Sequence, residues 1–254
     1  MSTSAKTSSR DAYDKSPFRS IKHSTYFPVY DQLLSPYQNR DITFVEVGVF
    51  EGGSLFMWRE FFGPRARIIG IDFNPEAKKW EADGFEIFVG SQSSPDFWDE
   101  FFSEVGAVDI LLDDGGHTYT QQIITTEMGL DHIKDGGMLI VEDTHTSYLD
   151  GFGDKSISFI NYCKRWIDRV NSRFGSFVKE QKDRRVWSVE VFESIVAFKV
   201  NRAFSQQVSM PTDNGGKRDF SKDFRNADRK LVERDSARIE RIIKRGFDIF
   251  GGNA

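Results

Sequence analysis

Between about residues 41 and 200, short apolar runs rich in β-branched side chains alternate with longer stretches whose apolar residues recur at helical spacing. That alternation is the pattern of a parallel sheet whose faces are covered by crossover helices. It predicts strands at Ile42–Val47, Arg67–Asp72, Phe85–Val89, Val108–Leu112 and Met138–Val141. Helices are expected between them, at Ser54–Phe62, Glu76–Asp83, Pro95–Val105 and Thr120–Ile133. An irregular polar segment, Thr144–Lys155, then leads into an amphipathic helix over about Ile157–Phe174, with Ile160, Trp166, Ile167 and Val170 on its stripe. The last runs, Val186–Phe192 and Ser194–Val200, have almost nothing between them. A parallel crossover needs a dozen or more residues, so these two form an antiparallel hairpin that ends the sheet.

The pattern divides the chain into a leader and helical cover over residues 1–40, the sheet domain over 41–202, and a linker with a basic helical tail over 203–254. The first ten residues are polar and lack the apolar core of a secretory signal, so they read as an unstructured leader and the expected location is cytoplasmic. Ser205–Gly216 is the expected linker. Beyond it, Leu231, Val232, Ile239, Ile242 and Ile243 recur near a 3.6-residue period, as in a terminal helix resting on the body or on a second subunit. The chain has 254 residues, 39% of them hydrophobic and 29% charged, and a net charge of −5. These values fit a globular domain and argue against a general nucleic-acid binder. No apolar run approaches the ~18 residues of a membrane span. A single cysteine, Cys163, excludes an internal disulfide, and no Cys/His cluster has zinc-finger spacing.

Chemistry concentrates at the strand ends. The first strand runs into Glu46-Val-Gly48-Val-Phe50-Glu51-Gly52-Gly53-Ser54. Glycines there tighten a turn and let a ligand approach backbone N–H groups, although a tight structural turn alone uses them in the same way. In a dinucleotide fingerprint the second glycine admits the pyrophosphate; here Phe50 stands at that position, which disfavours NAD and FAD and leaves a phosphate-free adenosine ligand. Asp72, about twenty residues past Gly52, ends the second strand where an acidic group meets ribose hydroxyls, and Gly90-Ser91-Gln92 ends the third where an adenine edge fits.

The fourth and fifth strands end in acidic doublets, Asp113-Asp114 and Glu142-Asp143. Carboxylates crowded at one sheet edge need raised pKa values or a cation, and oxygen donors with open positions suit Mg²⁺. Helix and loop capping is the ordinary alternative. His117 follows Asp114 across a Gly-Gly turn and is a natural proton acceptor at neutral pH, in competition with His145, His23 and His132; the last sits late in a predicted helix and reads as packing.

Four segments together, Phe44–Arg59, Ile68–Asp72, Asp113–His117 and Val141–Tyr148, resemble class I S-adenosylmethionine-dependent methyltransferases, and more narrowly the metal-dependent sugar O-methyltransferases of macrolide biosynthesis. The closing hairpin resembles that group's last two strands. The resemblance implies a Rossmann-like α/β fold: a mostly parallel seven-stranded sheet with one antiparallel strand and helices on both faces. It implies S-adenosylmethionine contacts by Glu46, Gly48, Gly52, Gly53, Ser54 and Asp72, with Ser91 and Gln92 near the adenine and Asp113 near the methionine end. Asp114, Glu142 and Asp143 would hold Mg²⁺ or Mn²⁺, and His117 would be the general base, for methylation of a hydroxyl on a sugar or glycoside. The segment Lys22-His23-Ser-Thr-Tyr26 with Tyr30 resembles the family's N-terminal approach to the site, aromatic packing of a first helix being the alternative. The group often carries a histidine in the penultimate strand, where this chain has Glu190, and a further N-terminal domain that 254 residues are too few to contain. Expected partners are a small-molecule or glycoside acceptor and a possible second copy, with neither nucleic acid nor membrane. A same-fold enzyme of cephalosporin hydroxylase type, or a catalytically silent interaction protein, are the competing readings.

Overall fold

The computed structural model describes residues 6–173 and 183–217, together with Arg238 and Glu240. Residues up to Ser209 form one unit and those from Met210 another, so the division falls inside the expected linker. The basic helix expected beyond residue 217 lies almost wholly outside the described residues.

Seven strands, β1 (Thr43–Val47), β2 (Arg67–Asp72), β3 (Glu86–Val89), β4 (Val108–Asp113), β5 (Ile133–Val141), β6 (Val186–Phe192) and β7 (Ile195–Val200), lie in the order β3-β2-β1-β4-β5-β7-β6. β1 to β5 are parallel, and β7 runs antiparallel to both β5 and β6. The hairpin therefore places its second strand inward, with β6 at the edge. Alternate residues separate cleanly to the two faces. Phe44, Ile110, Leu112 and Ile140 pack with α2 (Tyr26–Leu34) and α3 (Gly53–Phe62), through Tyr30, Trp58 and Phe62. Val45, Val47, Leu111 and Val141 join the core holding α4 (Pro95–Val105) and α6 (Phe159–Asn171), through Trp98, Phe102 and Trp166. The period-two burial of the strands sets both layers at once.

Several elements differ from the sequence pattern. Ser9–Asp14 in the polar leader is a helix, α1, because the Ser8 side chain caps the Asp11 N–H and the buried Ser9 hydroxyl bonds the Phe27 carbonyl. Pro75–Asp83 is a 3₁₀ run with only Ala77 and Trp80 buried, too little apolar surface to favour a full amphipathic helix. β5 begins five residues early, at Ile133; the polar Lys134-Asp-Gly-Gly stretch hides it from periodicity, and its pairing with β4 shifts register there. His132 lies in the turn after α5 (Tyr119–Leu130), stacked on Phe102 at 4.0 Å. Ile167 of α6 is 47% exposed, so the buried stripe runs through Phe159, Cys163 and Trp166 instead. Among the described residues no helix is long and apolar enough to cross a membrane.

The end of α5 is fixed by one side chain from α7 (Arg202–Ser205): Arg202 donates to the carbonyls of Leu130, Asp131 and Ile133 and pairs with Asp135 at 2.9 Å. Arg202→Ala leaves these carbonyls without their charged donor at the helix terminus and should cost about 1–3 kcal/mol of stability. Denaturant titration should show a lower midpoint with an unchanged slope; an unchanged midpoint would remove Arg202 from this role.

Candidate functional site

The registers Val47↔Asp113 and Asp113↔Val141 bring the C-terminal ends of β1, β4 and β5 level, and everything expected of the site lies at that edge. Gly48, at φ +95°, follows β1 and turns against the β4 loop; a Cβ there would lie 2.1 Å from the Asp114 carbonyl oxygen. Past it the chain passes through Phe50 in the left-handed region at φ +49°. The Val49 and Phe50 N–H groups both donate to Asp72 Oδ2, at 2.8 and 3.1 Å, and the Asn74 N–H donates to Oδ1 at 2.8 Å. Three backbone donors thus fix the Asp72 carboxylate at the end of β2, with lone pairs left for a ligand.

A cavity of about 770 Å³ opens along this edge. Its walls include Gly48 and Phe50 from the β1 loop, Ser54 in the first turn of α3, Asp72 from β2, Gly90, Ser91 and Gln92 after β3, and Asp114, His117 and Asp143 at the far end. Arg19, Ser20 and Ile21 of the N-terminal segment close another side. Gly52 and Gly53 do not line it. A Cβ on Gly53 would lie 2.4 Å from the Phe18 and Arg19 carbonyl oxygens, and one on Gly52 would meet the Trp80 ring at 2.2 Å. Gly52 and Gly53 at the start of α3 are therefore covered by protein, which reinforces the case against a pyrophosphate there.

Of the other residues expected to touch a cofactor, Glu46 and Asp113 are wholly buried and outside the cavity wall. Asp113 Oδ1 accepts from Gln92 Nε2 at 2.9 Å and from the Gly115 N–H at 3.1 Å, while Gln92 Oε1 accepts from the Gly116 N–H at 2.8 Å. Burial raises the Asp113 pKa against these bonds. Asp113 and Gln92 hold the shape of the turn that carries Asp114 and His117.

Glu46 accepts from Ser54 Oγ at 2.6 Å and Trp58 Nε1 at 2.9 Å, side chains one helical turn apart on α3. The Lys22 ammonium lies 3.8 Å from Glu46, 2.6 Å from Asp114 and 2.9 Å from Glu142, its side chain only 1% exposed. Glu142 takes its other bond from the buried Tyr30 hydroxyl at 2.6 Å. Sequence reasoning placed Lys22 and Tyr30 near the site but missed that they belong to its acidic cluster. A lone lysine carries no pattern, whereas Ser54 and Trp58, at i and i+4 beside a buried glutamate, offered a signal.

The open side of the cluster belongs to Asp114, His117 and Asp143, whose donor atoms lie within 4.8 Å of one another. His117 and Asp143 both adopt left-handed backbone, at φ +60° and +55°. The Thr146 hydroxyl lies 3.1 Å from the His117 carbonyl and 2.9 Å from that of Asp143, tying the two turns together. His117 Nε2 stands 3.3 Å from Asp143 Oδ2. On the other oxygen, Asp143 accepts from the Tyr26 hydroxyl, which also contacts Ser194 at 2.8 Å. His145 is on this second side, its Nδ1 3.8 Å from Asp143 Oδ1 and 2.5 Å from Ser194 Oγ, with the His23 ring 5.7 Å away. Of the expected metal set, Asp114 and Asp143 meet in the open, and both Glu142 oxygens are already engaged.

Burial disfavours charge throughout this cluster. It works against the Lys22 ammonium too, but Asp114, Glu142 and Glu46 overcome it and hold the lysine pKa well above its ordinary value. Burial raises Glu46 to about 7 despite Lys22, and Glu142 to about 8. Between the ordinary glutamate range and these values the folded chain binds more protons than the unfolded one, so stability should fall as pH rises across that window. Chemical denaturation in EDTA at about pH 5 and about pH 8 should show that fall, reduced in Glu46→Gln. An equal pH slope in the variant would contradict the assignment.

Comparison with known proteins agrees with this geometry. Residues 45–144 match the family described as a methyltransferase domain. The chain is 30% identical, over 71% of its length and 51% of the relative's, to 8-demethyl-8-alpha-L-rhamnosyl tetracenomycin-C 2'-O-methyltransferase of Streptomyces olivaceus. It is 32% identical, over 52% of its length and 34% of the relative's, to mycinamicin VI 2''-O-methyltransferase of Micromonospora griseorubida. The chain thus spans between a third and about half of these curated relatives. Among solved structures it resembles the MycE methyltransferase of the mycinamycin pathway, in complex with Mg and SAH, at a TM-score of 0.69 and 26% identity, over 82% of this chain and 58% of that one. The strand order, the family match and these relatives identify the chain as carrying a class I S-adenosylmethionine-dependent methyltransferase domain.

Proposed function

We propose that this protein transfers the methyl group of S-adenosylmethionine to a hydroxyl of a sugar or glycoside, with a divalent cation at the acceptor end of the site. The observation that carries the proposal is one continuous cavity wall running from Asp72, Ser91 and Gln92 to Asp114, His117 and Asp143. The first group suits a ribose and an adenine edge, the second an ionising hydroxyl. Relatives that act on sugars attached to macrolide and tetracenomycin scaffolds support the same acceptor class.

The donor set fits Mg²⁺ or Mn²⁺. Asp114 and Asp143 offer hard oxygens around a point that His117 also reaches, with open positions toward the cavity. When bound, such an ion would supply Lewis acidity that lowers the pKa of an acceptor hydroxyl. The chain's own part is positioning and proton removal. His117 Nε2 faces this cluster, 3.3 Å from Asp143 Oδ2, so it accepts the proton there. Backbone donors keep Asp72 in place for the ribose, so the cofactor is oriented before the acceptor arrives.

Three outcomes are expected. Asp72→Ala should weaken binding of S-adenosylhomocysteine by about 10- to 100-fold, through lost charge-assisted bonds and a loosened β1 loop, as read by calorimetry. Methyl transfer to a rhamnosyl or related glycoside, followed by mass spectrometry, should stop in EDTA and return with Mg²⁺ or Mn²⁺; full activity in chelator would remove the metal from the reading. His117→Ala should lower turnover by about 10²–10⁴ while leaving cofactor affinity nearly unchanged, and His145→Ala should cost less. If His145→Ala is the more damaging, the base is on the other side of Asp143.

A further inference from the structure

Each acidic doublet at the sheet edge divides into a carboxylate turned inward and one turned outward. Glu142 directly follows β5 with its side chain 1% exposed, Oε1 bonded by Tyr30 and Oε2 by Lys22. The next residue, Asp143, takes left-handed backbone at φ +55° and lines the cavity. A hydrated divalent ion usually keeps several of its waters, and around Glu142 both carboxylate oxygens are already bonded. The space between Asp114 and Glu142 is held by an ammonium, which donates up to three hydrogen bonds from a single positive centre.

We infer that Lys22 is a resident cation of this site: it occupies the position between Asp114 and Glu142 that an ion would otherwise take, holds both carboxyl groups by hydrogen bonds, and leaves metal binding to Asp114 and Asp143. The inference rests on the methyltransferase reading for its purpose, but not for its test. Lys22 is a positioning residue. It binds Asp114 through Oδ2, so the orientation of Asp114 toward the cavity depends on a group contributed from outside the sheet. Lys22 also directly follows Arg19, Ser20 and Ile21, which wall the cavity, so the buried ion pair anchors the segment that covers the cofactor position.

The probe is Mn²⁺ alone, titrated into the full chain and followed by calorimetry and electron paramagnetic resonance, with circular dichroism and a cooperative thermal transition as the check that each variant is folded. In the wild type, Glu142→Gln should change Mn²⁺ affinity by less than about threefold, whereas Asp143→Asn should weaken it at least about tenfold, the usual scale for losing a metal-site group. Lys22→Met should bind one more Mn²⁺ per chain, and adding Glu142→Gln to that variant should remove the extra ion. If Lys22→Met is too unstable to titrate directly, Mn²⁺ should raise its thermal midpoint more than that of the wild type. A loss on Glu142→Gln as large as that on Asp143→Asn overturns the inference, because Lys22 would then be withdrawing to admit the ion. So does a Lys22→Met protein that gains neither an ion nor stability. A wild type that binds no Mn²⁺, while Lys22→Met binds an ion that Glu142→Gln removes, would sustain Lys22 as the resident cation and retire the metal from the proposed function.

Discussion

Three level parallel strands deliver Glu46, Asp114 and Glu142 to one small volume, and the Lys22 ammonium among them is the interaction on which the site depends. Removing carboxylates from water costs several kcal/mol each unless a counter-charge and hydrogen bonds replace the solvent. For Glu46 and Glu142 these side-chain donors come from outside the sheet. They come from α3, through Ser54 and Trp58, and from the segment before β1, through Lys22 and Tyr30. The N-terminal cover is therefore part of the electrostatic design of the sheet domain. The same segment lines the cavity, so the charge balance of the acidic cluster and the enclosure of a cofactor are set by one stretch of chain.

The backbone carries a second consequence of that crowding. Phe50, His117 and Asp143 are all left-handed non-glycine residues, and all three line the cavity. Such conformations are costly and persist where surrounding bonds over-determine them. Here the bonds are visible: Asp72 holds the Val49 and Phe50 N–H groups, and the Thr146 hydroxyl sits between the His117 and Asp143 carbonyls. Of the five left-handed non-glycine positions among the described residues, three therefore line the cavity, Phe50 held by Asp72 from β2 and both His117 and Asp143 by the one Thr146 hydroxyl.

Much of this was legible in the chain. Short apolar runs rich in β-branched side chains located every strand, and the short junction at Glu193 and Ser194 required the hairpin. Strand-end polarity also picked out Asp72, Asp114, His117 and Asp143, all of which line one cavity. What was not legible has a common physical cause. The position of Lys22 depends on where a segment distant in sequence packs, and 92 residues separate it from Asp114. The early start of β5 and the helix at Ser9–Asp14 rest on pairing and capping, which leave no apolar period behind them. The resemblance implied cofactor contacts by Glu46 and Asp113, and the structure buries both behind the cavity wall, a placement that the residue type does not disclose.

That ambiguity has a structural resolution in the doublets. Successive strand residues point to opposite faces, so two adjacent carboxylates at a strand end cannot both face the same cavity while the strand geometry lasts. In Asp113-Asp114 the first is still in β4 and turns inward to Gln92 and the Gly115 N–H, while the second, past the strand, reaches the cavity. In Glu142-Asp143 the first turns to Lys22 and Tyr30, and the second is brought round by its left-handed backbone. The inner member of each pair holds a framework and the outer member meets the cavity. An acidic doublet at the end of a buried parallel strand is thus better read as one supporting and one functional carboxylate than as two ligands, and the supporting one requires a buried donor or cation from elsewhere in the chain.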